Sequence, residues 1–438
     1  MTRSTFPQSL LICGYDLRGV TNAGQRNTRE SGMVTRTHQL IGGFARRHPD
    51  TRLSVTITGA RESMGPYMTL TPEGVNVSVR EIGTQFPKHL RTNDLKDREK
   101  VQRFYEDEID EFDNPIWQNL AGQYSCAASG EGADHILAQS INPLIAFLKA
   151  REYGWKPIPL TGVVNDTGPE FARRFGYLAD RICAGSPVTV IAVSAAVRAE
   201  LIDAGVPKWS IRTVLNGMDV EGFEARLRRA EKLNLWEKVC ARNGVPRGRR
   251  VVLMSARRVE WKGAEDLIRA ASRLAEDGAI GGACVVINGA GLLDTREPGF
   301  EKALAALIAE RNLNGSVFLL DELTQDEVAA CYVGADVCVH PSRKGEPFGY
   351  ANLEAMLAGV PVITTNQGGP LEYIEHGESG VLVPPYSPNA IAFRLGPLLH
   401  DDDLRKRMGR AARASASRFT LEAMVSGYEA AITSVGVA

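Results

Sequence analysis

Glu346 and Glu354 stand eight positions apart around the turn Phe348-Gly349-Tyr350, in "SRKGEPFGYANLEAMLAG". A carboxylate can only accept hydrogen bonds. The backbone N–H groups of a loop entering a helix can only donate them, and they favour an anion. Together the two suit a ligand with hydroxyls at both ends and negative charge between them, as in ribose, pyrophosphate and sugar. "SARRVEWKG" adds Arg257 and Lys262, two cations spaced to reach one diphosphate. "NGAG", Asn288 to Gly291 with Gly289 at the turn, and "QGGPLEYI", with Gly368 and Gly369, add turns where backbone can approach a ligand closely. A glutamate pair at this spacing is equally met as a loop acid and a solvent-facing helix acid. Its companions on the neighbouring loops give it meaning.

These loops need a frame. Short apolar runs alternate with longer amphipathic ones along the chain, which predicts parallel sheets with crossover helices. The first half offers "SLLICGY", "RLSVTITG", "DHILAQS", "PIPLTGVV", "VTVIAVS" and "IRTVLN" as strands. The second offers "RVVLMSA", "ACVVING", "SVFLLD", "DVCVHPS", "PVITT" and "GVLVPP". At 438 residues the chain exceeds the size of one core. The expected fold is therefore α/β, with two doubly wound, Rossmann-like domains. We expect a first domain over 1–220, a polar helical connector over 221–250, a second domain over 251–415, and a helix over 416–438 crossing back to the first. Every chemistry-bearing loop of the second domain then follows a strand.

Composition narrows the class. With 44% hydrophobic residues, 24% charged and a net charge of −1, nothing favours nucleic acid or an acidic membrane. The seven cysteines form no CxxC pair, which reads as reduced thiols in a cytoplasm. No Cys/His cluster has metal-ligand spacing, so no metal and no cofactor are expected. Asp401–Asp403 in "HDDDLRKRMG" read as a helix N-terminal cap. The start of the chain carries no signal-peptide pattern, and no window approaches a membrane span.

The run from Gly315 to Pro385 resembles the donor-binding half of the retaining family 4 glycosyltransferases, which have the GT-B fold. "RRVEWKG" and "NGMD", with Asn216, Gly217 and Asp219, extend the likeness. It is close over roughly residues 160–430 and loose before that. The resemblance implies that Arg257 and Lys262 grip the diphosphate, Glu354 binds the ribose hydroxyls and Glu346 contacts the transferred sugar. The amides of Phe348, Gly349 and Tyr350 would hold sugar hydroxyls and the distal phosphate. It also implies metal-independent transfer with retention, by front-face attack with the departing phosphate as base.

The first domain departs from that pattern. Leu137, Gln139 and Asn165 stand where the family commonly has histidine, and His135 falls inside a strand. Asn165 and Asp166 close a strand and are candidates for acceptor contacts, with Gln139, Asp16 and Arg18. Ser31 and Gly32 best match the family's Gly-Gly turn after the first strand. The stretch "RFYEDEIDEFDNPIWQ", residues 103–118, interleaves acids with Phe104, Tyr105, Phe112 and Trp117, which suits a cationic acceptor. The expected partners are a nucleotide sugar, UDP- or GDP-linked, and a small polar acceptor, as in antibiotic or low-molecular-weight thiol biosynthesis of actinobacterial type. A nucleotide-sugar epimerase of the same fold and a non-catalytic sugar-nucleotide binder are the alternatives. Base, sugar, acceptor and oligomeric state stay open.

Overall fold

The computed structural model describes residues 6–14, 32–59, 67–71, 74–83, 111–280, 282–289 and 298–434. The chain divides into two units, one running to Gly217 and resuming over Leu421–Ala438, the other spanning Met218–Thr420. No described helix is long and apolar enough to cross a membrane.

The first unit's sheet contains β1 (Ser9–Cys13), β2 (Arg52–Gly59), β3 (Tyr67–Leu70), β4 (Asn76–Gly83), β5 (His135–Ala138), β6 (Leu160–Val164), β7 (Val188–Ala192) and β8 (Ile211–Thr213). Their order is β3-β4-β2-β1-β5-β6-β7-β8, and every pair is parallel except the edge strand β3 on β4. β1, β5, β6 and β7 are buried along their whole length. A strand covered on both faces must be apolar throughout, which is why these read clearly in sequence. β3 and β4 were not anticipated. "NVSVREIG" alternates polar and apolar residues, and β3 is a four-residue antiparallel edge, so neither makes an apolar run. The closing helix, Leu421–Thr433, packs on the helix Gly32–Arg47 of the same unit. A Cβ on Gly43 would overlap Val425, and Arg47 pairs with both Glu422 and Glu429.

The second unit's sheet contains β9 (Arg250–Ser255), β10 (Ala283–Asn288), β11 (Val317–Leu319), β12 (Val337–His340), β13 (Val362–Thr365) and β14 (Val381–Val383), the six expected strands. The order β11-β10-β9-β12-β13-β14 is wholly parallel and reverses direction at β9. In such a sheet ligands bind at the carboxyl ends of the strands flanking the reversal, here β9 and β12. Residues read as the connector form the helices Val220–Lys232 and Leu235–Asn243. Both pack on the helix Gln325–Gly334, where Phe223 meets Tyr332 edge-on at 6.1 Å and Trp236 lies against Gly334. The Asp401 carboxylate accepts the Leu404 N–H at 2.8 Å and caps the helix Asp402–Ala416, the role its sequence predicted.

Candidate functional site

The loop after β9 sends its two arginines opposite ways. Arg258 turns inward, 9% exposed, and donates to the Leu320 carbonyl at 2.7 Å and to Glu301 at 2.9 Å. It ties the end of β9 to the end of β11. Arg257 is exposed. Gly263 then closes the short helical turn Glu260–Lys262 at φ +77, where a Cβ would overlap the Pro341 carbonyl oxygen. Only glycine lets this loop lie so close to the one after β12. Arg343, after β12, holds the first turn of the following helix Ala264–Glu276 with ion pairs to Asp266 at 2.9 Å and Glu265 at 2.8 Å, and so clamps the two loops.

The clamp brings Lys262 onto Glu346. The two side chains, 15% and 11% exposed, form an ion pair, and the Lys262 ammonium lies 4.0 Å from the Trp261 ring centroid. The Ser342 hydroxyl donates to the same carboxylate oxygen at 2.7 Å. Burial pushes the Glu346 carboxyl up, but the charge and hydrogen bond of Lys262, the Ser342 hydroxyl and nearby His340 hold it below its ordinary value. Two residues that the sequence assigned to different parts of one ligand therefore face each other directly.

The next loop is fixed from beneath. Glu346 bridges to Gly368, and the Gly369 N–H donates to the Glu346 carbonyl at 2.7 Å. A Cβ on Gly368 would overlap that carbonyl oxygen, and one on Gly369 would overlap the Phe348 backbone, which explains the Gly-Gly pair. The Tyr373 hydroxyl donates to the Phe348 carbonyl at 2.7 Å and receives the Asn352 amide at 3.2 Å. Asn352 Oδ1 lies 2.6 Å from His340 Nδ1, while His340 Nε2 accepts the Ser255 N–H at 3.2 Å. The ring proton therefore sits on Nδ1, and a buried chain of hydrogen bonds links the ends of β9 and β12 to the turn. Gly349 caps the helix Tyr350–Leu357 at φ +87, and Phe348 is 2% exposed among aromatic neighbours. The first backbone N–H groups of that helix are positioned to donate beside the loop. One turn in, Glu354 accepts the Tyr332 hydroxyl at 2.7 Å. Gly289, at φ +120, follows β10, and a Cβ there would overlap the Ala256 carbonyl oxygen. Asn288 beside it is fully buried, and neither of its amide atoms has a hydrogen-bond partner among the described residues.

In the first unit, Gln139 follows β5 while Asn165 and Asp166 follow β6, and the Asn165 amide donates to the Gln139 carbonyl at 2.9 Å. Arg36, which the sequence reading passed over, joins Gln139, Asn165 and Asn216 by hydrogen bonds. Burial raises the Asp166 carboxyl to about 6, against the pull of Arg174 and Arg36. Gly32 opens its helix. His135 is 4% exposed, bonded to the Thr161 hydroxyl at 3.0 Å and lowered to about 4 by burial, a packed neutral histidine as its strand position implied. Asp16, Arg18, Ser31 and residues 103–110 of the acidic–aromatic stretch lie outside the described residues. Its described aromatics turn inward: Trp117 is fully buried and Phe112 stacks on Tyr177 at 4.3 Å. That packing takes away two of the four rings on which a cation-binding surface there depended.

Ser342, Trp261, Tyr373 and Asn352 were also missed. Each is an ordinary residue inside an apolar or loop run, and only their mutual contacts mark them.

Residues 219–415 match the family model described as "Glycosyl transferases group 1". An uncharacterized glycosyltransferase of Methanocaldococcus jannaschii is 32% identical over 218 residues, covering 50% of this chain and 52% of its own. A D-inositol 3-phosphate glycosyltransferase of Corynebacterium urealyticum is 33% identical over 219 residues, 49% of each chain. The chain thus spans about half the length of these curated relatives. Among solved structures, Anabaena HepE in complex with UDP and glucose superposes with a TM-score of 0.71 at 19% identity, over 98% of this chain and 100% of that one. Sucrose-phosphate synthase from Thermosynechococcus elongatus gives 0.71 at 18%, over 95% and 96%. The fold is GT-B, and residues 219–415 are similar to the group 1 glycosyltransferases.

Proposed function

We propose that the protein is a retaining glycosyltransferase that moves a hexosyl group from a UDP- or GDP-sugar to a small polar acceptor in a cytoplasmic biosynthetic pathway. The Lys262–Glu346 pair at the carboxyl ends of the strands flanking the sheet reversal carries this reading. In the free protein Lys262 is neutralised by Glu346. An arriving diphosphate supplies a stronger, divalent partner, so the ammonium turns to the leaving group and the carboxylate is released toward a sugar hydroxyl. Arg257, exposed on the same loop, adds a second cation as negative charge builds on the departing phosphate. These cations, with the N–H groups of Phe348, Gly349 and Tyr350, do the work a metal would otherwise do, so transfer needs none. Glu354 takes the ribose hydroxyls.

The acceptor is assigned to the first unit. The relatives that act on D-inositol 3-phosphate support a small polyol, although their match covers only half of each chain. The test is calorimetric titration with UDP, GDP, ADP and their sugars, followed by mass spectrometry of products from a panel of small acceptors. Tight UDP or GDP binding with transfer of one hexose supports the reading. Release of free nucleotide plus an epimerised sugar, or binding without turnover on any acceptor, replaces it.

A further inference from the structure

The first unit buries a guanidinium whose hydrogen-bond partners among the described residues include no anion. Arg36, from the helix Gly32–Arg47, is 2% exposed. A charge taken out of water needs a counter-charge or a complete set of acceptors. Its described hydrogen-bond partners are all neutral: Nη2 donates to Gln139 Oε1 at 2.9 Å, and Nη1 donates to Asn165 Oδ1 and, at 3.4 Å, to Asn216 Oδ1. Arg36 Nε has no partner among the described residues, nor have Gln139 Nε2, Asp166 Oδ2 or the Tyr428 hydroxyl. Gln139 and Tyr428 are fully buried, and both Asp166 and Tyr428 feel the Arg36 charge. Four unpaired polar atoms around one cation are too costly to be accidental packing.

Their place in the fold gives them a use. Gln139 follows β5, which adjoins β1 where this sheet's strand order reverses, and Asn165 with Asp166 follows β6. That is the ligand position of an open α/β sheet. Asn165 and Asp166 are only half-buried, so the cluster reaches the surface there. Three of the four open atoms can donate; the charges around them are two cations, Arg36 and Arg174, and two carboxyls, Asp166 and Glu170, of which burial holds Asp166 up at about 6. A cationic ligand would meet the Arg36 guanidinium, and a neutral one would leave it bonded to amides alone.

We propose that this cluster binds an oxyanion, the phosphate or carboxylate of the acceptor, through Arg36 Nε–H, the Gln139 amide and the Tyr428 hydroxyl. The word acceptor rests on the transferase reading; the charge preference rests on Arg36 alone. The full chain is titrated with inorganic phosphate and, separately, with acetate, in wild type and in Arg36→Lys, Tyr428→Phe and Lys262→Ala variants. Arg36→Lys keeps a buried cation but loses the Nε donor, and Tyr428→Phe removes one hydroxyl, so both are expected to fold. Saturable binding weakened about tenfold by Arg36→Lys and severalfold by Tyr428→Phe, yet kept by Lys262→Ala, supports the site. Stronger binding by phosphate or by acetate names the source of the oxyanion. Absence of binding of either anion at about 50 mM, far above any useful affinity, or binding lost in Lys262→Ala and untouched in Arg36→Lys, overturns it. UDP is titrated into the same samples: anion binding at Arg36 without any nucleotide binding would remove the transferase reading and leave the anion site standing.

Discussion

Replacing Lys262 by methionine keeps most of the side-chain volume and removes the counter-charge of Glu346. Both partners are largely buried, at 15% and 11% side-chain exposure, so the carboxylate left behind cannot be rescued by water. Breaking a buried pair by removing one partner costs about 3–5 kcal/mol; Ser342, which still donates to Glu346 at 2.7 Å, places the expectation at the lower end. The pH dependence is more telling than the magnitude. In wild type the Glu346 carboxyl is held below its ordinary value, so the pair's contribution is fully present above the ordinary carboxylate range and is lost as pH falls through the folded value. In Lys262→Met burial is the main remaining influence and drives the carboxyl up. The variant should then gain stability as pH falls from neutrality through that raised value, where wild type gains none. Denaturant melts at neutral and mildly acid pH read both curves. Adding Glu346→Gln to Lys262→Met should restore most of the stability at neutral pH while leaving turnover at the single variant's level, because it removes the stranded charge but supplies no cation. A Lys262→Met protein as stable as wild type at neutral pH, with a parallel pH curve, would refute the claim that the pair is internally compensated.

Arg257→Ala should lower turnover on the order of 100-fold yet leave the melting curve almost unmoved, since Arg257 is exposed; equal turnover would detach Arg257 from the leaving group. Gly289→Ala should yield little folded protein, because a Cβ at φ +120 overlaps the Ala256 carbonyl oxygen, and circular dichroism of the purified variant checks it. Tyr373→Phe removes the donor to the Phe348 carbonyl, so donor KM should rise severalfold with acceptor KM unchanged. Turnover should continue in excess EDTA; loss restored by magnesium or manganese would reverse the metal-free proposal.

The second unit was the more legible half, and the reason is physical. Its six strands are short, continuous apolar runs, and its loops need residues that nothing else replaces: Gly263, Gly289 and Gly368 each stand where a Cβ would strike backbone. Glycine at such a place leaves a mark in the sequence. The link between Lys262 and Glu346 left none, because 84 residues separate them and it is the pairing of β9 with β12, tightened by Arg343, that brings their loops together.

The first unit hid its polar cluster for the opposite reason. "MVTRTHQLIGGFARR" reads as an amphipathic helix whose Arg36 belongs on the wet side, yet Arg36, Thr37 and His38 are all buried. Hydrophobic periodicity assigns polar residues to solvent by default, so it cannot distinguish a solvated arginine from a buried one. The acceptor's charge follows from the same blind spot. The acidic–aromatic stretch looked like the chemical signal because its acids are many and contiguous, but its described rings, Phe112 and Trp117, serve the core. A single buried cation among amides outweighs solvated surface charge, since charge–charge contacts in water are screened and those in the interior are not. A ligand chosen by this unit is therefore one that answers Arg36.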